Sequence, residues 1–200
     1  MFNGKNKFIG DKMRYNKKFT LKTGEEITVS SATARDAEKV CNYENVLFAE
    51  TKFFTRGPEE GNVSVEDCKG YIEKQNKPRN AFLIVKLNKQ VIAHVSLNQK
   101  SKHLRMMHRS EFGIGVLKKH WGKGIAGILM TEIINLARSY NYEQIELAAV
   151  KENTRAIKLY KSFGFVKYGE LINSFKYTDG SYQNAIYMVK TLNKKEENGI

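Results

Sequence analysis

Val116-Leu-Lys-Lys-His-Trp-Gly-Lys-Gly-Ile-Ala-Gly127 is the stretch on which the reading of this chain turns. An apolar run, Glu111-Phe-Gly-Ile-Gly-Val-Leu117, precedes it, and a long apolar run to Tyr140 follows. The pattern is therefore a strand, a glycine-bearing loop and a helix. The first turn of a helix has N–H groups without intrahelical partners, and the helix dipole adds partial positive charge there. Glycine lets a phosphate approach those groups without meeting a Cβ. Lys118, Lys119 and Lys123 bring charge to the same end, and the sum is an anion cradle suited to a pyrophosphate. A Walker A loop would need Ser or Thr after its Gly-Lys, and Ile125 and its neighbours supply none. Gly122-Lys-Gly-Ile-Ala-Gly127 fits the bare GxGxxG pattern, but a Rossmann loop opens the fold and an acidic residue ends the next strand. Here that strand ends at Val150.

Working outward, Thr23-Gly24 joins Phe19–Leu21 to Glu26–Val29 as a hairpin. Thr33 and Asp36 open a first helix carrying Ala37, Val40, Cys41, Leu47 and Phe48 on its apolar positions. A loop from Glu50 to Gly61 holds Phe53, Phe54, Glu59 and Glu60, and Ser64 caps a second helix to about Gln75. Two β-branched runs, Asn80–Leu87 and Gln90–Leu97, turn at Asn88-Lys89. After a basic loop, Gln99–His108, comes the strand Glu111–Leu117. The helix ending near Tyr140 confines Thr131, Glu132, Asn135, Arg138 and Ser139 to one narrow polar face, so a sheet covers most of its circumference. Ile145–Val150 reads as a buried strand, Asn153–Tyr160 as a helix ended by Gly164, and Phe165–Tyr177 and Ser181–Thr191 as a hairpin through Asp179-Gly180. The expected fold is α+β, a mixed and largely antiparallel sheet flanked by helices on both faces, with parallel pairing at the central strands.

With 200 residues and 41% hydrophobic content, the chain can build one domain with a real core. No run is long and apolar enough for a membrane span, and no apolar segment follows the basic N-terminus as in a secretory signal. Cys41 and Cys68 lack metal or redox spacing, and the four histidines lack the i, i+4 spacing of a helical metal site, so no metal is expected. A reducing, cytoplasmic setting fits best. Residues 1–18 carry six basic residues and one Asp and read as a basic tail, with Met13 as an alternative start; 19–192 form the domain, and 193–200 a polar tail. The net charge of +13 invites a nucleic-acid reading, but no RRM, KH or helix-turn-helix pattern supports one.

Two motifs at this spacing and in this element order resemble the GNAT superfamily of acetyl-CoA-dependent N-acetyltransferases. The family's Gln/Arg-x-x-Gly-x-Gly/Ala signature corresponds to Trp121-Gly122-Lys123-Gly124-Ile125-Ala126, with Trp121 departing at the first position. Its later Asn, apolar helix, Tyr and Gly-Phe correspond to Asn153, Tyr160 and Gly164-Phe165. The likeness covers nearly everything from Glu25 to Thr191. It implies an acyltransferase that moves the acetyl group of acetyl-CoA, its co-substrate, to a primary amine of a small molecule or a peptide by direct attack, without a metal. It also implies cofactor contacts from Ile114, Val116, Trp121, Gly122, Lys123, Gly124, Ile125, Ala126, Gly127 and Asn153. Tyr160 would protonate the departing thiolate, Glu111 would take the amine's proton, and a backbone N–H near Val116 would steady the carbonyl oxygen. Phe53, Phe54 and Glu59 would line the acceptor site, and a homodimer is compatible with the family.

Each residue also has a plain structural reading. Asn153 is a natural N-cap, Tyr160 a natural core aromatic, Trp121 a loop anchor and Glu111 a strand-end surface carboxylate. Gly113 and Gly115 alternate with larger residues and either weaken the strand or allow something to approach it closely. At the level of sequence two other functions stay open, a basic RNA- or ribosome-associated binding module and a catalytically weak acetyl-CoA sensor on the same fold.

Overall fold

The structure, a computed structural model, describes residues 7–9 and 12–192. A short antiparallel ribbon, β1 (Lys7–Ile9) and β2 (Lys12–Arg14), comes first. It is followed by β3 (Asn16–Thr20), β4 (Glu26–Ser31), α1 (Ala37–Glu50), α2 (Val65–Gln75), β5 (Ala81–Leu87) and β6 (Gln90–Gln99). Then come β7 (Arg109–Val116), α3 (Ile125–Ser139), β8 (Gln144–Val150), α4 (Thr154–Ser162), β9 (Val166–Lys176) and β10 (Tyr182–Thr191). Strands β3 to β10 form one sheet in the order β3-β4-β5-β6-β7-β8-β10-β9. Every neighbouring pair is antiparallel except β7 with β8. Helices cover both faces. One core layer, with Val40, Leu47, Ile72 and Phe82, lies under α1 and α2; the other, with Leu129, Ile133, Ile145 and Phe165, lies under α3 and α4. Among the described residues no helix is long and apolar enough to cross a membrane.

Local chemistry explains the element ends. The Ser64 hydroxyl accepts the Asp67 N–H at 3.1 Å and caps α2, and Asn153 Oδ1 accepts the Ala156 N–H at 3.2 Å and caps α4. Asn88 and Lys89 both take positive φ in the β5–β6 turn, a backbone that gives a tight hairpin its twist.

Two expectations need correction. The N-terminal boundary at Lys18 falls inside β3, and Tyr15, ahead of that strand, is 4% exposed. Its hydroxyl donates to Glu132 at 2.5 Å, and Lys17 pairs with the same carboxylate at 3.0 Å. Glu132 is therefore buried beneath the N-terminal segment instead of standing on a solvated helix face. Helical spacing showed only where Glu132 stands around α3, not what would cover it. The expected polar tail, 193–200, lies outside the described residues.

Candidate active site

The parallel pairing of β7 and β8 lasts for three residue pairs, Arg109 with Gln144, Ser110 with Ile145 and Glu111 with Glu146. Beyond them the strands part. On its other edge β7 stays paired with β6, and just past its end the Leu117 N–H donates to the Ile92 carbonyl at 3.1 Å. Peptide groups point to alternate edges along a strand. The N–H groups of Ile114 and Val116 are therefore directed away from β6, into the gap that β8 leaves open. The Val116 carbonyl on that edge is occupied, since the Trp121 indole N–H donates to it at 2.6 Å.

A cavity of about 620 Å³ fills this gap. Its walls are β7 from Phe112 to Val116, β8 from Leu147 to Val150, the first turn of α3, and one face of α4 with Asn153, Arg155 and Tyr160. Phe53 and Phe54, from the loop after α1, and Phe175 of β9 line one end. Glu146 anchors the base of the gap. Burial alone would raise its carboxyl, but Arg109 and Lys100 hold it down to about 2. Arg109 donates to it twice, at 2.5 and 2.8 Å, and Lys100 pairs with it too.

At the far end, Gly122 and Gly124 hold φ at +82° and +90°, which turns the chain into α3 and exposes its first N–H groups. Gly127 has no such backbone need, and a Cβ there would meet nothing within 4 Å. Glycine in a helix costs about 1 kcal/mol relative to alanine, so the protein's own packing gives no reason for it. The space fits a ligand laid against the turn. Arg155 supplies a cation beside it, its guanidinium 4.9 Å from the centre of the Trp121 ring.

Over residues 46–165 the chain matches the sequence pattern of the Acetyltransferase (GNAT) family. It belongs to that family. It is 28% identical over 116 residues to an L-amino acid N-acetyltransferase of Escherichia coli, spanning 58% of this chain and 70% of that protein. It is 32% identical over 121 residues to a spermidine N(1)-acetyltransferase of Vibrio cholerae, spanning 58% and 67%. The structure of yncA from Salmonella typhimurium with its cofactor acetyl-CoA superposes with a TM-score of 0.74 at 18% identity, covering 85% of this chain and 96% of that one.

The GNAT site residues expected from sequence divide into two groups. Ile114, Val116, Trp121, Gly122, Gly124, Ile125, Ala126, Gly127, Asn153 and Tyr160 meet at the cavity, as do Phe53 and Phe54. Tyr160 packs edge-on against Phe112 at 5.7 Å, and burial pushes its phenol well above the usual range, so it keeps its proton. Asn153 lines the wall while it caps α4.

Three expected side chains stand elsewhere. The Lys123 ammonium pairs with Glu25 at 2.8 Å, across to the β3–β4 turn. Glu59 sits exposed on a single 3₁₀ turn outside the wall. Glu111 is exposed and outside the wall, on the β7 face it shares with Gly113 and Gly115. A Cβ on Gly115 would come within 2.8 Å of the Tyr43 hydroxyl and 2.7 Å of Leu47, so α1 packs directly on this strand.

Sequence reasoning missed His120, Arg155 and Phe175. His120 is 8% exposed, lines the cavity, and has both ring nitrogens buried without a partner among the described residues. Burial, then the charges of Lys123 and Lys119, lower its pKa and keep it neutral. The available signal was a polar residue inside a turn that must pack under a helix start. Cys41 and Cys68 are free and buried away from the cavity.

Proposed function

We propose that this protein transfers the acetyl group of acetyl-CoA to a small-molecule primary amine in the gap between β7 and β8. One observation carries the reading: a strand edge with unpaired N–H groups runs, through one cavity, to an open helix N-terminus. Relatives named for L-amino acid and spermidine acceptors support a small amine. Free, buried Cys41 and Cys68 suit a cytoplasmic protein.

When bound, acetyl-CoA supplies an activated thioester carbonyl. The amides of Gly122 to Gly127 would hold its pyrophosphate, and Arg155, carried on Trp121, would supply the cation that the family pattern places at position 121. Ile114 and Asn153 would hold the pantetheine arm along the gap. The Val116 N–H is the fixed donor for negative charge developing on the carbonyl oxygen. Tyr160, kept protonated by burial, would give its proton to the departing thiolate. For the amine's proton, His120 replaces Glu111 in our reading. It is neutral, its nitrogens are unpartnered, and no carboxylate lies in the wall among the described residues. An apolar cavity also lowers the pKa of an incoming ammonium by desolvation, which narrows the gap the imidazole must bridge.

Release of free CoA thiol, with the acetylated product weighed by mass spectrometry, tests the proposal. We expect amine-dependent release by the wild type. His120→Gln should slow it while leaving acetyl-CoA affinity unchanged. Acetyl-CoA binding with no amine-dependent release across a broad panel of amines would refute the proposal.

A further inference from the structure

We infer that the acceptor is a primary monoamine on an uncharged apolar body, such as an arylalkylamine, rather than a polyamine or a free amino acid. This rests on the N-acetyltransferase reading above and concerns the phenylalanine-lined end of the same cavity.

That end is lined by Leu47, Phe53, Phe54 and Phe175, with Thr51 and Thr55 as its polar groups. Phe54 is fixed edge-on against Phe48 at 5.7 Å. Two surface contacts also link the elements around that end. The Tyr177 hydroxyl donates to the Lys52 carbonyl at 3.0 Å, joining the β9–β10 hairpin to the loop after α1. The Lys52 ammonium pairs with Glu152 at 3.3 Å, at the corner between β8 and α4. A roof held from three elements suits a small acceptor.

The charges decide its class. A polyamine keeps at least one ammonium after its reacting nitrogen becomes neutral, and a buried cation needs a partner. Among the described residues the wall contains no Asp or Glu. Of the carboxylates nearby, Glu152 is engaged by Lys52 and Gln183 and Glu60 by Arg56 and the Gly57 N–H, while Glu59 and Glu111 stand exposed in solvent outside the wall. Phenylalanine faces attract cations more weakly than tryptophan does and do not replace a carboxylate. A free amino acid raises the opposite problem. Among the described residues the wall holds no Lys and a single Arg, Arg155, seated on Trp121 beside the cradle, and the Lys52 ammonium outside the wall is taken by Glu152. The chain's +13 charge further repels polycations at long range. What matches the pocket is a single amine that loses its charge on reaction, on a ring or branched chain that meets the phenylalanines.

The test compares phenethylamine, spermidine and phenylalanine as acceptors at saturating acetyl-CoA, with acetyl-CoA binding followed separately by calorimetry. We expect kcat/KM for phenethylamine to exceed that for each of the other two by at least tenfold. Phe53→Glu, which puts a carboxylate in the wall, should move the spermidine-to-phenethylamine ratio at least tenfold toward spermidine. If acetyl-CoA binds but spermidine or phenylalanine matches phenethylamine, or no amine reacts, the acceptor assignment is wrong. An unmoved ratio in a folded Phe53→Glu variant would show that this wall does not face the acceptor. Failure of the wild type to bind acetyl-CoA would overturn the enzymatic reading itself.

Discussion

A chain shortened to begin at Lys18 should lose much of its stability, although composition alone marks the removed residues as a dispensable tail. The cut takes away Tyr15, 4% exposed, whose N–H donates to Ser31 Oγ at 3.0 Å and whose carbonyl accepts the Ser31 N–H at 2.9 Å. Loss of a buried aromatic costs about 3–5 kcal/mol. It also takes both donors from Glu132, but the same cut uncovers that carboxylate, and water replaces them at little further cost. Against a typical stability of about 5–15 kcal/mol, the loss is a large fraction. For a domain of this size it corresponds to a fall in Tm of roughly 6–20 °C. Thermal melting followed by circular dichroism would compare the full chain with chains beginning at Met13 and at Lys18. The Met13 chain keeps Tyr15 and Lys17 and should hold most of the stability. A Lys18 chain that melts within about 2 °C of the full protein would refute this reasoning.

Other consequences can be checked separately. Tyr160→Phe keeps the ring on Phe112 and removes only the proton donor, so turnover should fall about ten- to a thousandfold while acetyl-CoA affinity holds; near wild-type turnover would leave water as the acid. Glu146→Gln leaves Lys100 and Arg109 without their counter-charge and should cost about 3–5 kcal/mol at neutral pH by denaturant titration. Because this carboxyl is held down to about 2, the wild type should lose that advantage as pH falls from about 4.3 toward 2, where the two proteins should converge. Gly115→Ala, whose methyl group would press on Tyr43 and Leu47, should cost about 1–3 kcal/mol. Gly113→Ala, whose Cβ meets only Ser96 Oγ at 3.4 Å, should cost less, and equal melting of the pair would show that α1 yields freely.

Much of the fold was legible because its signals are local. Ser64, Asn153 and Gly164 mark helix ends through contacts within a few residues, and Thr23-Gly24 and Asp179-Gly180 mark turns through backbone conformation. The apolar helix after Gly124 needs a sheet beneath it whatever the rest of the chain does. The cofactor half of the site was legible for the same reason, since strand, loop and helix start are continuous in sequence. Side-chain destinations were not. Lys123 looks like part of the cradle until Glu25, far away in sequence, takes its ammonium. Glu111 lies on the right strand and on the face where α1 packs over Gly115, yet α1 does not reach it and its side chain stands in solvent outside the wall. Arg155 becomes a cavity cation only because the Trp121 ring lies beneath it. His120 reads as one more basic residue among lysines, and its burial comes from tertiary packing.

The central claim is that acetyl-CoA lies between β7 and β8 with its pyrophosphate on the first turn of α3. Calorimetric titration of acetyl-CoA into the wild type, Gly127→Ala and Gly127→Glu tests it most directly. A Cβ at 127 meets no protein atom within 4 Å, and both replacements favour the helix over glycine, so both variants should fold and melt at or above the wild-type temperature. The wild type should bind one acetyl-CoA per chain. Gly127→Glu, which places bulk and negative charge in the cradle, should bind at least a hundredfold more weakly, with Gly127→Ala between the two. A well-folded Gly127→Glu variant that binds acetyl-CoA as tightly as the wild type would contradict the account.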